Sequence, residues 1–145
     1  MKTDPIRMFV GKFRYLSNYY RTDVVFEGKV YRTVEHAFQA AKTLSEKERA
    51  KIRSSQDPGS AKRIGRRVTL REDWEDVKVG IMEDLVRQKF SRNFMKYKLL
   101  NTGDRELVEG NWWHDVFWGV DERTGEGRNE LGKILMKIRD ELKEK

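Results

Sequence analysis

The run Tyr31-Arg32-Thr33-Val34-Glu35-His36-Ala37-Phe38-Gln39-Ala40-Ala41-Lys42-Thr43 decides how this chain is read. Thr33 is placed to cap a helix, and Val34, Ala37, Phe38 and Ala41 recur behind it at helical spacing. Beside that apolar stripe runs a second one, because Glu35, Gln39 and Lys42 fall at i, i+4 and i+7. At the rise of an α-helix, a carboxylate, an amide and an amine therefore line up over roughly 10 Å. Glu35 lies in the first turn, where the helix dipole favours its charged form. The plain alternative is that Glu35 only complements the dipole and Lys42 is solvated at the far end. Spacing alone leaves both open.

Upstream of this helix the chain reads as strands. Ile6, Met8 and Val10 alternate, and Val24-Val25-Phe26, a Glu27-Gly28 turn and Val30-Tyr31 spell a hairpin. The stretch from Phe13 to Tyr20 is too aromatic for an ordinary loop. Downstream, helices take over. Ser45 with Glu48 forms a capping-box pattern for a short charged helix ending near Arg53. Asp57-Pro58-Gly59 reads as a turn, with Ser60 capping a helix from Ala61 to about Arg66. Asp73 opens the longest helix, whose Trp74, Val77, Ile81 and Leu85 share a face. Ser91 caps another, closed by Gly103 as a left-handed terminator. Leu107-Val108-Glu109 and Val116-Phe117-Trp118 read as short strands. Asn129 caps a last helix that turns Leu131, Leu135, Ile138 and Leu142 inward. The mixture without strict alternation predicts an α+β fold, mostly helical with a small β-sheet. No repeat or linker interrupts residues 1–145, so a single domain is expected.

Composition removes several kinds of chemistry. The 145 residues include no cysteine, which excludes disulfides, Cys-ligated zinc, iron–sulfur clusters and a thiol nucleophile. Mean hydropathy is −0.85 and apolar runs are short, so no membrane span is expected and a cytoplasmic setting fits. The net charge is +7, and residues 42–71, with ten basic and three acidic side chains, carry that excess by themselves. A local excess of this kind suits an anion such as phosphate or nucleic acid, or else an ordinary solvated face.

Other candidates are weighed in the same way. His36 and His114 are the only histidines and are not paired at metal-ligand spacing, so no metal is expected. His36, beside the apolar stripe, reads as a hydrogen-bonded packing residue. No Gly-x-Ser-x-Gly elbow supports a serine triad, and Gly125 and Gly127 do not form a dinucleotide fingerprint. Trp112-Trp113-His114-Asp115-Val116-Phe117-Trp118-Gly119 carries three tryptophans that must pack or stack on something, and one or two of them are expected to complete the core. Asp115 among such rings is a candidate tuned carboxyl. Trp74 reads equally as a core knob or a stacking wall.

These residues, taken together, resemble a known family. Tyr15-Leu16-Ser17-Asn18-Tyr19-Tyr20 and the Thr33–Thr43 block are similar to the opening motifs of the NADAR (YbiA-like) domain. The resemblance continues through Ala61-Lys62-Arg63-Ile64-Gly65-Arg66, Leu70-Arg71-Glu72-Asp73-Trp74, Lys89-Phe90 and Leu99-Leu100-Asn101-Thr102-Gly103-Asp104. It ends with Phe117-Trp118-Gly119 and Gly127-Arg128-Asn129-Glu130-Leu131-Gly132-Lys133.

What the resemblance implies is an N-glycosidase that hydrolyses the bond between ribose C1 and an exocyclic nitrogen, without a cofactor. Two substrate classes follow from it: ADP-ribose on guanine bases, and phosphoribosylamino-pyrimidine intermediates of riboflavin synthesis. Glu35, Lys42 and Asp115 would be catalytic, with Glu35 shuttling protons, Lys42 a Schiff-base amine and Asp115 orienting hydroxyls or water. Asn18, Trp74, Trp118, Gly119 and Asn129 would hold the sugar and base, and Lys62, Arg63 and Arg66 the phosphates or a DNA backbone. Two departures from the family pattern, Arg21 in place of proline and the loop Val120–Gly125 in place of a glycine-rich one, bear on substrate identity. The local basicity favours ADP-ribose linked to nucleic acid. A non-catalytic nucleic-acid or ADP-ribose-binding module, and a partner-binding patch of tryptophans, are the competing readings.

Overall fold

A computed structural model describes residues 3–145. They form two units, one of Asn18–Lys89 and one of residues 3–17 with Phe90–Lys145.

In the first unit Val24–Phe26 (β1) pairs antiparallel with Lys29–Tyr31 (β2) through the expected Glu27-Gly28 turn. Both turn residues have positive φ, 47° and 83°, as a two-residue turn between twisted strands demands. Val34–Ala41 (α1) follows, with the Thr33 hydroxyl accepting the His36 N–H at 3.0 Å. All eight residues of α1 are buried, because β1 and three further helices pack around it. A helix covered on every side buries its polar stripe along with its apolar one.

The three helices are Glu46–Arg53 (α2), Pro58–Gly65 (α3) and Trp74–Lys89 (α4). Ser45 caps α2 as expected, but Glu48 does not complete a reciprocal box. Its carboxylate instead accepts the Thr43 hydroxyl at 2.6 Å and the Thr69 N–H at 3.1 Å. The α3 helix starts three residues earlier than the turn signal suggested. Asp57 is the cap, accepting the Ser60 N–H at 2.8 Å, and Pro58 occupies the first turn, where its missing N–H is no loss. On α4 the buried face runs through Trp74, Met82, Leu85, Val86 and Lys89, with Val77 and Ile81 only half-buried at its edge.

The second unit opens with a 3-10 helix, Gly11–Leu16, and holds Asn93–Leu100 (α5) and Glu130–Lys143 (α6). The expected strand of residues 6–10 reduces to one bridge between Ile6 and Leu107. The strands expected at 107–109 and 116–118 are displaced. Gly110–Asn111 (β3) pairs in parallel with Val120–Asp121 (β4) instead. Side chains capture the amides that the earlier strands needed: Asp115 takes the N–H groups of Phe117 and Trp118, and Asn129 takes that of Glu109. Ser91 does not cap α5, whose N-cap position is Arg92 and whose first turn receives no side-chain cap bond from it. Gly103, at φ 65°, is the left-handed residue expected after α5. Leu131, Leu135 and Ile138 are buried on α6, while Leu142 is half-buried. The architecture is α+β, mostly helical with very small sheets, as the sequence pattern predicts. Among the described residues no helix is long and apolar enough to cross a membrane.

Candidate active site

In the first unit the stripe on α1 is real. Glu35 is 8% exposed, and the Gln39 Nε2 donates to its Oε2 at 2.6 Å. The Glu35 N–H, one of those a helix start leaves unpaired, donates to the Asn18 carbonyl at 3.1 Å. That bond brings the Asn18 backbone to the N-terminal end of α1. The Asn18 side chain is buried; its Nδ2 reaches only the Met82 sulfur at 3.5 Å, and its Oδ1 has no hydrogen-bond partner. A buried acceptor without a donor is costly unless a ligand or water supplies one.

Lys42 stands at the other end of the stripe and is half-buried. Burial pushes its ammonium pKa down, Glu35 pulls it back up, and the positive charges of Lys62, Arg66 and Lys78 lower it further. Its backbone is fixed from two sides. The Arg71 N–H donates to the Lys42 carbonyl at 2.8 Å, and Arg49 Nε donates to the Thr43 carbonyl at 2.8 Å. Arg71 in turn clasps Asp73 with two bonds, at 2.6 and 3.1 Å, at the entry to α4. An open cavity of about 560 Å³ lies here, lined by residues 43–45 and 69–73.

Trp74 is 6% exposed, its ring 5.0 Å from that of Phe38, so it is mainly a wall of the α1–α4 packing. His36 is the expected packing residue. Its Nε2 lies 3.2 Å from the Ser55 carbonyl and so carries the proton, leaving Nδ1 to accept the Thr33 hydroxyl at 2.8 Å; burial lowers its pKa. Of the predicted phosphate ligands, Lys62 is half-buried, whereas Arg63 and Arg66 are exposed, and Arg63 donates to the Ser60 hydroxyl at 2.9 Å.

Lys78 and Lys89 are charged residues of this unit outside the predicted site residues, although Lys89-Phe90 is one of the motifs of the resemblance. Lys89 is 1% exposed, its Nζ 5.7 Å from the centre of the Tyr20 ring, and burial brings its pKa down to about 7. The signal was present: Met82, Leu85, Val86 and Lys89 follow helical spacing, which puts a lysine on the buried face.

The second unit holds the other predicted residues. The Asn111 side-chain amide donates to the Asp115 carbonyl and accepts the Asp115 N–H, each at 2.9 Å, and the Asp115 carboxylate accepts the Phe117 and Trp118 amides at 3.1 and 2.9 Å. Trp118 is half-buried, edge-on to Phe117 with ring centres 4.8 Å apart. Trp112 and Trp113 are 56% and 60% exposed, so no tryptophan of this run completes the core as expected. Gly119 has backbone against it, since a Cβ there would fall 2.1 Å from the Glu109 carbonyl. Asn129 has φ 54°, and both ends of its amide are engaged, Nδ2 with the Leu107 carbonyl at 2.9 Å and Oδ1 with the Glu109 N–H at 3.0 Å. It therefore holds the loop and gives α6 no side-chain cap. Among the described residues no group of three or more His, Asp or Glu is arranged to hold a metal.

Comparisons with known proteins point the same way. An N-glycosidase, YbiA of Escherichia coli (strain K12), is 40% identical over 129 residues, covering 87% of this chain and 79% of that protein. An N-glycosidase of Nostoc punctiforme is 38% identical over 133 residues, covering 88% and 84%. A riboflavin biosynthesis protein of Vibrio vulnificus is 39% identical over 133 residues, 90% of this chain but 36% of that longer protein. The NMR structure of E. coli YbiA superposes with a TM-score of 0.86 at 35% identity, covering 99% of this chain and 87% of that one. Residues 8–143 match the NADAR domain, a span that contains the α1 stripe and every predicted site residue, and the chain belongs to the NADAR domain family.

Proposed function

We propose that this protein hydrolyses a ribose C1–N bond, with guanine-linked ADP-ribose as its substrate. The enzyme class, a hydrolase of N-glycosyl bonds, follows from the family and from relatives named N-glycosidase. The observation that carries the reading is the α1 stripe: a buried carboxylate, Glu35, and a half-buried amine of lowered pKa, Lys42, on one helix face.

An amino-linked ribose opens to an imine at C1. The neutral Lys42 Nζ adds to that carbon, and the base departs as its free amine when Glu35 delivers a proton to the leaving nitrogen. Water then adds to the Lys42 imine, Glu35 takes its proton, and C1 leaves as the aldehyde while Nζ is restored. One water is consumed: hydrogen ends on the amine and oxygen on C1. The buried Oδ1 of Asn18 is an acceptor for a sugar hydroxyl beside Glu35. The basic residues 42–71 favour a phosphate-rich, nucleic-acid-linked substrate.

A second substrate reading, phosphoribosylamino-pyrimidines, is favoured by the relatives named riboflavin biosynthesis protein. The test is incubation with guanine-ADP-ribosylated DNA, following free ADP-ribose by mass spectrometry, with the pyrimidine intermediate in parallel. Release from DNA supports the first reading. Cleavage of the pyrimidine alone transfers the assignment to the second.

A further inference from the structure

We propose that α5 and the 3-10 helix Gly11–Leu16 carry a docking surface for single-stranded nucleic acid, with Phe94 and Tyr97 stacking on unpaired bases and the surrounding cations meeting the phosphates. The surface is separate from the basic segment 42–71, and nothing in the inference depends on Glu35 or Lys42.

The sequence of α5 puts rings where water is. Met95 and Leu99, four residues apart, are the buried anchors of the helix. Phe94 and Tyr97, three apart, share another face and are 67% and 63% exposed. Two rings left in water on an eight-residue helix forgo the burial that ordinarily holds such side chains. The 3-10 helix is tied to α5 by the Tyr15 hydroxyl, which donates to the Lys98 carbonyl at 3.1 Å. The Lys98 ammonium lies near two rings at once, 4.6 Å from the centre of Phe94 and 5.1 Å from that of Tyr15. Further along the 3-10 helix, Phe13 has Lys12 Nζ at 5.2 Å and Arg105 Cζ at 5.3 Å from its ring centre. Rings and cations thus alternate across both elements.

Charge says what the surface takes. Residues 5–17 and 91–103 hold six basic side chains, Arg7, Lys12, Arg14, Arg92, Lys96 and Lys98, and no acidic one. Residues 72–145 are acidic overall, so the stretch from 91 to 103 stands out against its surroundings. Just beyond it Asp104 is bonded to Lys143, and Arg105 donates to the Asp4 carbonyl at 2.6 Å. The partner is therefore an anion, and the rings narrow the choice. A duplex hides its base faces, whereas a single strand offers them for stacking and its phosphates for the cations. A helix that lies on a membrane turns a broad apolar face to the lipid. The α5 helix instead buries Met95 and Leu99 and exposes no large apolar side chain besides its two rings.

The test is fluorescence anisotropy with a short fluorescein-labelled oligothymidylate, alone and annealed to oligoadenylate. Vesicles of phosphatidylserine and phosphatidylcholine are sedimented with the protein in parallel. The single strand should bind in preference to the duplex. Phe94→Ala and Tyr97→Ala should each weaken it roughly tenfold, and Tyr97→Phe should keep the wild-type affinity. Lys96→Gln should lower the slope of log affinity against log salt by about 0.7, the share of one phosphate on a single strand. Thermal melting of each variant separates a lost contact from a lost fold. Undiminished affinity in both alanine variants, equal binding of the duplex, or a loss in Arg63→Gln of segment 42–71 instead of in the ring variants overturns the proposal. Vesicle binding without oligonucleotide binding overturns it too and marks the face as a membrane contact. The probe carries no ribosyl adduct and no turnover is read. Failure here therefore leaves the proposed function standing, and strand binding by a protein that cleaves neither substrate leaves the surface standing.

Discussion

Gln39 and Gly65 touch without a side chain between them: a Cβ at position 65 would fall 1.9 Å from Gln39 Oε1. The other end of the same amide donates to Glu35 at 2.6 Å. The glycine therefore sets where the amide, and through it the carboxylate, can stand. Gly65→Ala is expected to push Gln39 out of that bond and cost about 1–3 kcal/mol, the usual penalty for overpacking. Urea unfolding reads the stability, and kcat should fall with it. An alanine variant with wild-type kcat would separate Gln39 from the site.

Glu35→Gln and Lys42→Ala should each lower turnover by at least about a hundredfold, the scale of a lost acid–base or nucleophilic group. Neither should move the melting temperature by more than a few degrees, because Gln can still meet Gln39 and Lys42 is only half-buried. Borohydride reduction during turnover should attach the sugar to wild-type protein and leave Lys42→Ala unmodified. Mass spectrometry of the digested protein checks both.

The buried Lys89 makes stability depend on pH in a defined direction. Its pKa is about 7 in the fold against 10.5 for an unburied lysine. Between those values the unfolded chain binds more protons, so stability rises with pH across the window and is lost as pH falls toward 7. Lys42, whose pKa is also lowered, acts in the same direction, so the informative quantity is a difference between proteins. Lys89→Met should flatten the slope between about pH 7 and 9 and stabilise the protein at its acid end by a few kcal/mol. Urea unfolding of both proteins at the two ends of the window measures it; parallel slopes would place the Lys89 ammonium in contact with water.

Asn129 separates a loop clamp from a substrate ligand. Asn129→Ala loses the bonds to Leu107 and Glu109 and puts a Cβ-bearing residue without side-chain support at φ 54°. A loss of about 2–4 kcal/mol follows. Asn129→Gly should recover the backbone part only. If instead both variants keep full stability and lose substrate affinity, the residue binds substrate.

Local chemistry made some of this structure legible and hid the rest. The hairpin follows from Glu27-Gly28, and α1 from Thr33 and the spacing behind it, because neighbouring residues dictate both. The i, i+4 pair of Glu35 and Gln39 is likewise a property of one helix. The strands at 110–111 and 120–121 are not readable this way, since distant side chains decide which amides are left to pair: Asn129 claims one at Glu109, and Asp115 claims two. The start of α3 was misplaced because Asp57 and Ser60 are both good caps, and only the proline after Asp57 discriminates between them. The burial of Lys89 is less legible because lysine is ordinarily solvated, although its spacing with Leu85 and Val86 gives it away.

The bond from the Arg71 amide to the Lys42 carbonyl closes a ring of chain: the polypeptide leaves at Lys42, builds α2 and α3, and returns to the point of departure. An excursion pinned at its neck keeps its two ends together, while Gly65 within it stays in place against Gln39 beside Glu35. Lys62 and Arg66 lie on that excursion, whereas the carboxylate and the amine lie before it. Changes of length are therefore best borne in the connection between α2 and α3, away from both the neck and the Gly65 contact, where the register of α1 is left as it is.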